Sequence, residues 1–188
     1  MYKERLKYYP GFPIKGVNFV DIIPLMQDKK VFRSLIADIG KLCATPNIAA
    51  PEARGFLFAA PLLTSCDNID NIIPVRKKGK LPSAEGDLIG INITKEYGTD
   101  QLFFRLSDIA AGTPSEDAME VTFFDDILAT GGTALGVAKA LQECKVPLPD
   151  GRVLPVRVKD FVFLVELDDL GGRSVLESFA PVKSLIHV

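Results

Sequence analysis

The stretch from Val121 to Ala134, V-T-F-F-D-D-I-L-A-T-G-G-T-A, constrains the fold of this 188-residue chain more than any other. Its first four residues, Val121–Phe124, favour a buried β-strand. Two carboxylates follow at Asp125 and Asp126, where we expect the apolar run to meet solvent. Apolar residues then recur at helical spacing, so a helix is predicted to begin near Thr133. The order is a strand, a polar loop and a helix N-terminus.

The loop between this strand and this helix has the composition of an anion-binding site. Backbone N–H groups at a helix N-terminus carry partial positive charge and bind phosphate. Gly131 and Gly132 leave room for the backbone to close around such a group, and the hydroxyls of Thr130 and Thr133 can donate hydrogen bonds. We therefore expect a phosphate at this loop.

The carboxylates beside the loop have a different use. Asp125 and Asp126 are anionic and cannot hold a phosphate, but they suit hydroxyl groups or Mg²⁺. A phosphate cradle beside acceptors for a diol is the outline of a ribose-5-phosphate site. The alternative is a glycine-rich turn with a solvated acidic pair, which the combination of strand, D-D and T-G-G-T disfavours.

Composition is that of an ordinary globular protein, with 47% apolar residues and a net charge of −2. The length predicts one domain over residues 1–188. The slightly acidic balance argues against a nucleic-acid partner. Residues 1–5 lead into no apolar segment, and no apolar run approaches the roughly 20 residues needed to span a bilayer. We expect no signal peptide and no membrane partner.

The cysteines and the histidine narrow the chemistry further. Cys43, Cys66 and Cys144 are an odd number without metal-binding spacing, which predicts reduced thiols and a cytoplasmic location. The one histidine, His187, is next to the end of the chain. That position argues against a Ser-His-Asp or Cys-His mechanism.

Two further strands are predicted to end at the same edge as the phosphate loop. Asn47–Ala50 is followed by a tight turn with Arg54 and then an apolar helix, and Asn71–Val75 leads into R-K-K-G-K-L-P at 76–82. A cationic run is more often a solvated face, but at a strand end it would create a positive potential over an anionic ligand. Alternating strands and helices indicate an α/β fold, with a central parallel sheet flanked by helices and ligands at the carboxyl ends of its strands.

Two further segments have a pattern different from these alternating strands and helices. Residues 8–24 contain three prolines and two glycines, so an irregular N-terminal segment without regular elements is expected. Residues 83–106 predict a β-hairpin, because Ile89, Ile91 and Ile93 alternate with small or polar residues. Glycines in that hairpin supply the hinge freedom that an active-site lid needs.

Three other predictions complete the chain. Asp28 is expected to cap a helix that follows it. The proline-rich stretch Cys144–Val158 is interpreted as a connection without an assigned function. Phe161–Leu167 and Pro181–Val188 are predicted to be strands.

The central stretch resembles the 5-phosphoribosyl-1-pyrophosphate (PRPP) motif of type I phosphoribosyltransferases, and D-D-I-L-A-T-G-G-T looks most like the adenine phosphoribosyltransferase version. The resemblance implies that Asp125 and Asp126 meet the ribose hydroxyls, with the cofactor Mg²⁺ carried by PRPP near them. It also implies that the 5-phosphate is held by five loop residues: Ala129, Thr130, Gly131, Gly132 and Thr133.

Other loops extend the resemblance over most of the chain. A-R-G-F-L-F at 53–58 resembles the family's pyrophosphate loop, which implies that Arg54 is a pyrophosphate ligand. The R-K-K-G-K-L-P run also matches, and within it Arg76 and Lys80 are the first candidates for pyrophosphate contacts, followed by Lys77.

K-E-Y-G at 95–98 matches the family's catalytic loop. The resemblance implies that Glu96 approaches the purine and that Tyr97 helps to cover the site. We count Arg54 and Lys80 as catalytic together with Glu96, because cations stabilise the negative charge that develops on departing pyrophosphate.

The N-terminal run G-V-N-F-V-D-I resembles the family's hood, here about residues 1–27, with the lid at about 83–106. The resemblance implies that Phe19 stacks on adenine, and that backbone groups of Val17, Asn18 and Val20 read the amino edge of the base. An arginine often stands where this chain has Val20, so any role of that side chain is lost.

The resemblance implies a purine salvage enzyme that converts adenine and PRPP to AMP and pyrophosphate, usually as a homodimer. Two alternatives stay open at this stage. One is a phosphoribosyltransferase for another purine base. The other is a PRPP-sensing regulator without turnover, which should lack the lid carboxylate and carry a DNA-binding extension, whereas this chain keeps Glu96.

Overall fold

The computed structural model describes residues 2–95 and 98–188. The strands in chain order are β1 (Lys7–Pro10), β2 (Asn18–Asp21), β3 (Asn47–Pro51), β4 (Asn71–Lys77), β5 (Leu88–Lys95), β6 (Gly98–Arg105), β7 (Met119–Leu128), β8 (Lys145–Pro147), β9 (Val153–Glu166) and β10 (Val182–His187). The helices are α1 (Ile23–Met26), α2 (Lys29–Leu42), α3 (Arg54–Ser65), α4 (Leu106–Ala110), α5 (Gly132–Gln142) and α6 (Gly172–Glu177).

A mixed sheet forms the centre, with the strand order β10-β9-β7-β3-β4-β6-β5. The first five strands in this order are mutually parallel, and they form the parallel sheet that the sequence predicts. At one side β6 pairs antiparallel with β4, and β5 pairs antiparallel with β6, so the expected hairpin is an extension of the sheet.

Helices cover both faces of the sheet. On one face α2 and α3 bury Leu35 and Phe58 against Phe124 of β7. On the other face α5 buries Val137 against Phe123, the neighbouring residue of the same strand. Successive side chains of a strand point to opposite faces, which is why the apolar run V-T-F-F supplies both cores. Burying each ring contributes about 1.5–3 kcal/mol.

Strand β7 extends beyond its apolar residues, so the prediction that the acidic pair lies where the strand meets solvent is wrong. Asp125 and Asp126 are inside the strand, and Asp126 is only 4% exposed. Pairing with β9 continues to the register Leu128↔Glu166. The strand therefore carries both carboxylates into the covered edge of the sheet.

The prediction of an irregular segment over residues 8–24 is also wrong. Strands β1 and β2 form an antiparallel hairpin, with Pro10 paired to Asn18. Its two glycines, Gly11 and Gly16, have φ of +78° and +96° in the turn, and Pro24 is in the first turn of α1. The glycines lie in the hairpin turn and Pro24 lies at the start of a helix, where such residues are favoured. Two short strands can therefore form within this segment.

The stretch interpreted as a connection, Cys144–Val158, is a second place where pairing was missed. Strand β8 pairs antiparallel with the start of β9, from Lys145↔Pro155 to Pro147↔Val153. As a result β9 begins at Val153, eight residues earlier than the predicted strand at Phe161.

The predictions for Asp28 and for the last strand are confirmed: Asp28 caps α2 by accepting hydrogen bonds from two backbone N–H groups, and β10 lies where expected. Within the described ranges, no helix is long and apolar enough to cross a membrane.

Candidate active site

The glycine-rich loop joins β7 to α5 and forms one wall of a cavity. Gly131 caps α5 with φ +78°, a conformation that L side chains rarely adopt. The cavity has a volume of about 100 Å³ and is lined by every residue from Ile127 to Ala134, together with Asp125 and Phe163. Free N–H groups at the start of α5 therefore face a cavity of the size that a phosphate group needs.

The two glycines of the loop have different surroundings. A Cβ at Gly131 would lie 3.0 Å from the carbonyl oxygen of Gly172 and 3.2 Å from Cγ of Leu176. A Cβ at Gly132 would meet only Thr130 Oγ1, at 4.0 Å. Gly131 is therefore required by the fold, whereas a Cβ at Gly132 would crowd no other part of the protein and would border the cavity.

The acidic pair lies at the junction of this cavity with a second one. Burial raises the pKa of Asp125 well above its usual value, and the neighbouring charge of Asp126 raises it further. Burial also raises the pKa of Asp126, while the guanidinium of Arg54 opposes that rise. Two adjacent carboxylates in a poorly hydrated position favour ligands that relieve negative charge, such as hydroxyl donors or a cation.

The second cavity has a volume of about 330 Å³ and brings together the ends of three strands and the hairpin. It shares Asp125 and Thr133 with the first cavity, so the two adjoin. The other lining residues come from the turn after β3, from β4, from the β5–β6 hairpin and from β7: Pro51, Glu52, Ala53, Arg54, Lys77, Ile93, Asp100, Leu102 and Asp126.

Arg54 lines this second cavity. Its Nε lies 2.8 Å from Asp126 Oδ2, and its side chain is 38% exposed. That oxygen accepts no aligned hydrogen bond from the described residues. The turn lies close to the acidic pair, since a Cβ at the neighbouring Gly55 would lie 3.3 Å from Pro51 Cδ and in contact with Asp125 Oδ1 at 3.4 Å. Arg54 can therefore form an ion pair with Asp126 and also bind an anion in the cavity.

The cationic run after β4 is divided between two roles. Arg76 donates from Nε to Glu52 Oε2 at 2.6 Å and from Nη1 to the carbonyl oxygen of Lys80 at 2.9 Å. Lys77 lines the cavity, whereas Lys80 is exposed and does not line it. Of the three candidates in this run, Lys77 is therefore the one that borders the cavity, as Arg54 of the β3 turn also does. Contacts of Arg76 and Lys80 with pyrophosphate stay predictions.

The β1–β2 hairpin approaches the site through Phe19. The guanidinium of Arg54 lies 5.8 Å from the centroid of the Phe19 ring, within cation–π distance, and Phe12 packs edge-on against the same ring at 5.2 Å. Val17 and Asn18 are exposed next to it. The predicted hood residues are thus beside the predicted pyrophosphate loop.

Val20, which replaces the commoner arginine, is 4% exposed and packs in the core on the α2–α3 face. Strand alternation explains this position, since Phe19 is directed to the site and Val20 therefore to the interior. The side chain of Val20 contributes apolar burial, and only its backbone groups can take part in base recognition.

Glu96 and Tyr97 lie outside the described residues, so their roles stay predictions. The strands on either side of them pair from Leu88↔Arg105 to Lys95↔Gly98. Sequence reasoning missed Glu52, Asp100 and Phe163, which also line the two cavities. Glu52 is two residues before Arg54 in the same turn, which was a usable signal, whereas the position of Phe163 depends on the β7–β9 register.

No protein-family model matches the chain. An adenine phosphoribosyltransferase from Synechococcus sp. (strain CC9605) is 33% identical over 188 residues, covering 98% of this chain and 97% of that protein. One from Alkaliphilus metalliredigens is 36% identical over 186 residues, covering 97% and 96%.

Solved structures give the same result. The crystal structure of adenine phosphoribosyltransferase from Thermoanaerobacter pseudethanolicus has a TM-score of 0.80 and 35% identity, covering 100% of this chain and 98% of that one. The enzyme from Saccharomyces cerevisiae, crystallised with adenine and an imino-altritol bisphosphate, has a TM-score of 0.77 and 32% identity, covering 98% and 96%.

Fold, loops and relatives together define a type I phosphoribosyltransferase, a pentosyltransferase enzyme. Within that class the chain belongs to the adenine phosphoribosyltransferase family of purine salvage enzymes.

Gly132→Ala tests the phosphate cradle with little effect on the fold. The new methyl group meets no protein atom closer than 4.0 Å, but it enters the space beside the helix N-terminus. We expect an unchanged or slightly higher melting temperature and an affinity for ribose-5-phosphate at least about tenfold lower by calorimetry. Gly136→Ala is the control, because it lies in the same helix outside both cavities and its Cβ would make ordinary contact with Ile93 Cγ1 at 3.4 Å. Unchanged affinity in Gly132→Ala would mean that the phosphate binds elsewhere.

Proposed function

We propose that this chain transfers the 5-phosphoribosyl group of PRPP to adenine, giving AMP and pyrophosphate. The observation that carries the proposal is the pair of adjoining cavities that share Asp125 and Thr133. One cavity lies at a helix N-terminus and suits a phosphate, and the other contains the cations Arg54 and Lys77. A molecule with a phosphate at one end, a diol in the middle and a diphosphate at the other fits this order.

In this proposal the 5-phosphate accepts hydrogen bonds from the loop Ala129–Thr133. The ribose hydroxyls donate to Asp125 and Asp126, which places hydrogen-bond donors beside carboxylates whose charge is poorly solvated. The pyrophosphate meets Arg54 and Lys77, with Arg76 and Lys80 at the rim. Each part of PRPP thereby meets groups of complementary charge.

Mg²⁺ is proposed as the cofactor, bound together with PRPP. The residues fit it, because Asp125 and Asp126 offer oxygen ligands, and burial makes their full ionisation costly unless a cation is near. Bound Mg²⁺ supplies neutralisation of the diphosphate charge. The side chains of the chain then hold the leaving group in place.

The reaction breaks the bond between the anomeric carbon and a pyrophosphate oxygen, and the bonding electrons leave with pyrophosphate. N9 of adenine forms the new bond to the same carbon and loses its proton. Arg54 and Lys77 stabilise the growing negative charge on the leaving group, and the acidic pair faces the positive charge that develops on the ribose. Burial between the hood and the lid excludes water, which would otherwise hydrolyse PRPP.

Adenine is proposed to bind beneath the hood. Phe19 offers a ring for stacking next to Arg54, and the backbone of Val17, Asn18 and Val20 supplies groups for the amino edge of the base. The yeast relative was crystallised with adenine, which supports the choice of base. We also propose that Tyr97 covers the bound base.

The domain and the assembly complete the proposal. We propose a single cytoplasmic domain over residues 1–188, with the hood at 1–27 and the lid at 83–106. It acts as a homodimer on small-molecule substrates, without nucleic-acid or membrane partners. Exposed Leu57 and Leu63 on α3, beside the apolar cavity lined by Phe56 and Ile72, support a contact between subunits.

Turnover of each purine base with Mg²⁺-PRPP tests the function directly. We expect adenine to react with a kcat/KM more than about tenfold above those of hypoxanthine, guanine and xanthine, because an unpaired buried polar group costs about 1–3 kcal/mol. Equal rates with hypoxanthine would favour the alternative of another purine base. PRPP binding without turnover of any base would favour a regulator.

Lys77→Ala tests which lysine meets pyrophosphate. We expect the affinity for PRPP to fall at least about tenfold, or ~1.4 kcal/mol, with little change for AMP, which has no pyrophosphate. Lys80→Ala is measured beside it, because the resemblance assigns that residue the same contact. Lys78→Ala, at an exposed position of the same run, is the control. Equal losses for PRPP and AMP would show that the lysine acts through the fold.

We propose that Glu96 gives a proton to N7 of adenine, which eases the loss of the N9 proton to water, and takes the N7 proton back after the new bond has formed. Glu96→Gln tests this role. Glutamine keeps the size and hydrogen-bonding reach of glutamate but transfers no proton, so kcat should fall by about 10²–10⁴. PRPP affinity should change little, because Glu96 is assigned to the base. Single-turnover rates are measured against Glu85→Gln, an exposed carboxylate at the start of the lid. Chemistry as fast as in the wild type would leave Glu96 as a contact only.

A further inference from the structure

The turn before α6 packs against the outer side of the phosphate loop. Leu128 of β7 pairs with Glu166 of β9, and the N–H of Leu167 donates to the carbonyl oxygen of Leu128 at 2.9 Å. The chain then passes through a short 3₁₀ helix, Asp168–Leu170, and returns at Gly172 to the loop. The loop is therefore held between its own strand and this returning turn.

The contact between the turn and the loop leaves no room for a side chain at Gly172. A Cβ there would lie 2.2 Å from the carbonyl oxygen of Ala129 and 2.7 Å from Cδ1 of Leu128. From the opposite direction, a Cβ at Gly131 would lie 3.0 Å from the carbonyl oxygen of Gly172. Two glycines of different segments thus allow two backbones to touch.

Arg173 anchors this turn to the end of β9. Its Nε donates to Glu166 Oε1 at 2.8 Å and its Nη2 to Glu166 Oε2 at 2.6 Å, a two-point pairing. Its Nη1 also donates to the carbonyl oxygen of Val182 at 2.9 Å and to Glu177 Oε1 at 3.0 Å. The side chain of Glu166 is 5% exposed, whereas that of Glu177 is 50% exposed.

The charges of this pair are mutually stabilised. Burial alone would raise the pKa of Glu166, but the hydrogen bonds from Arg173 and the charge of Arg173 lower it overall. The hydrogen bond to Glu166 raises the pKa of Arg173. The pair therefore stays ionised and keeps the planar geometry that fixes the turn.

We propose that Glu166, Gly172 and Arg173 are positioning residues that set the conformation of the 5-phosphate loop, Ala129–Thr133. None of the three lines either cavity, so they act through the loop backbone and not by touching the ligand. The inference rests on the proposed function and deepens it. Loss of the anchor should weaken recognition of the 5-phosphate while sparing the pyrophosphate side, which is built from the β3 turn and β4.

Glu166→Gln removes the charge of the buried partner of Arg173. Its matched control, Glu177→Gln, removes the charge of the exposed partner. Calorimetry is run with ribose-5-phosphate and, separately, with pyrophosphate in the presence of Mg²⁺. We expect Glu166→Gln to bind ribose-5-phosphate about tenfold more weakly, since small displacements of a binding group are costly, and to keep its pyrophosphate affinity. Glu177→Gln should bind both ligands as the wild type does.

Gly172→Ala, with Gly112→Ala as its control, separates a change at the loop from general destabilisation. A Cβ at Gly112 would lie 2.1 Å from Asn47 Oδ1, a comparable crowding at the opposite edge of the sheet. Both variants should melt at a lower temperature. Only Gly172→Ala should raise KM for PRPP, by at least about tenfold, with KM for adenine unchanged.

Equal ribose-5-phosphate affinities in the wild type and in Glu166→Gln would overturn the positioning role and leave the proposed function standing. So would a rise in KM for PRPP that is the same in Gly172→Ala and Gly112→Ala. Wild-type protein that binds neither ligand and forms no AMP would overturn the proposed function, and this inference with it.

Discussion

The parallel pairing of β7 with β9 is the interaction on which the site depends. Both strands are long, and their register runs from Met119↔Val156 to Leu128↔Glu166. Parallel strands bring their carboxyl ends to one edge of the sheet, so the loop after β7 and the turn after β9 emerge side by side. The phosphate loop, the acidic pair and the anchoring arginine all follow from this one ladder.

The same ladder carries two carboxylates into a poorly hydrated edge, which is costly for the folded protein. Desolvation disfavours the charged form of a buried acid, and a second acid beside it adds repulsion. Arg54 offsets part of this cost through Asp126, at 2.8 Å. The negative charge that Arg54 leaves uncompensated favours binding, because a diol or a cation that binds here offsets it. The site therefore has excess negative charge at the place where a diol or a cation is proposed to bind.

Local features of the site could be predicted from the sequence because their causes are local. Glycines and threonines between a strand and a helix predict the phosphate loop, and α5 begins within one residue of the expected Thr133. Strand and helix periodicity likewise predicts the parallel sheet. The prolines of residues 8–24 were misinterpreted because composition alone does not show that Pro10 ends β1, that Pro13 lies in the hairpin turn and that Pro24 is in the first turn of α1.

Features that depend on distant pairing could not be predicted in this way. The burial of Asp126 follows from the neighbours of β7 and not from its own residues, which look polar at that point. The orientation of Arg76 depends on Glu52, which is 24 residues away in the chain. The need for glycine at 172 arises from the carbonyl oxygen of Ala129, on another segment. Each of these is a contact between elements, for which sequence spacing carries no signal.

The three parts of the site are built from elements of different rigidity, and this division suits the reaction. Backbone on the covered edge of the sheet would hold the 5-phosphate, which keeps its bonds throughout. Long and partly exposed side chains, Arg54, Lys77 and Lys80, would hold the pyrophosphate, which must leave. A two-stranded hairpin at the edge of the domain would receive the base, which must enter. A fixed 5-phosphate holds one end of the ribose phosphate in place. The anomeric carbon can then move from the leaving oxygen toward N9 while the rest of the substrate stays in place.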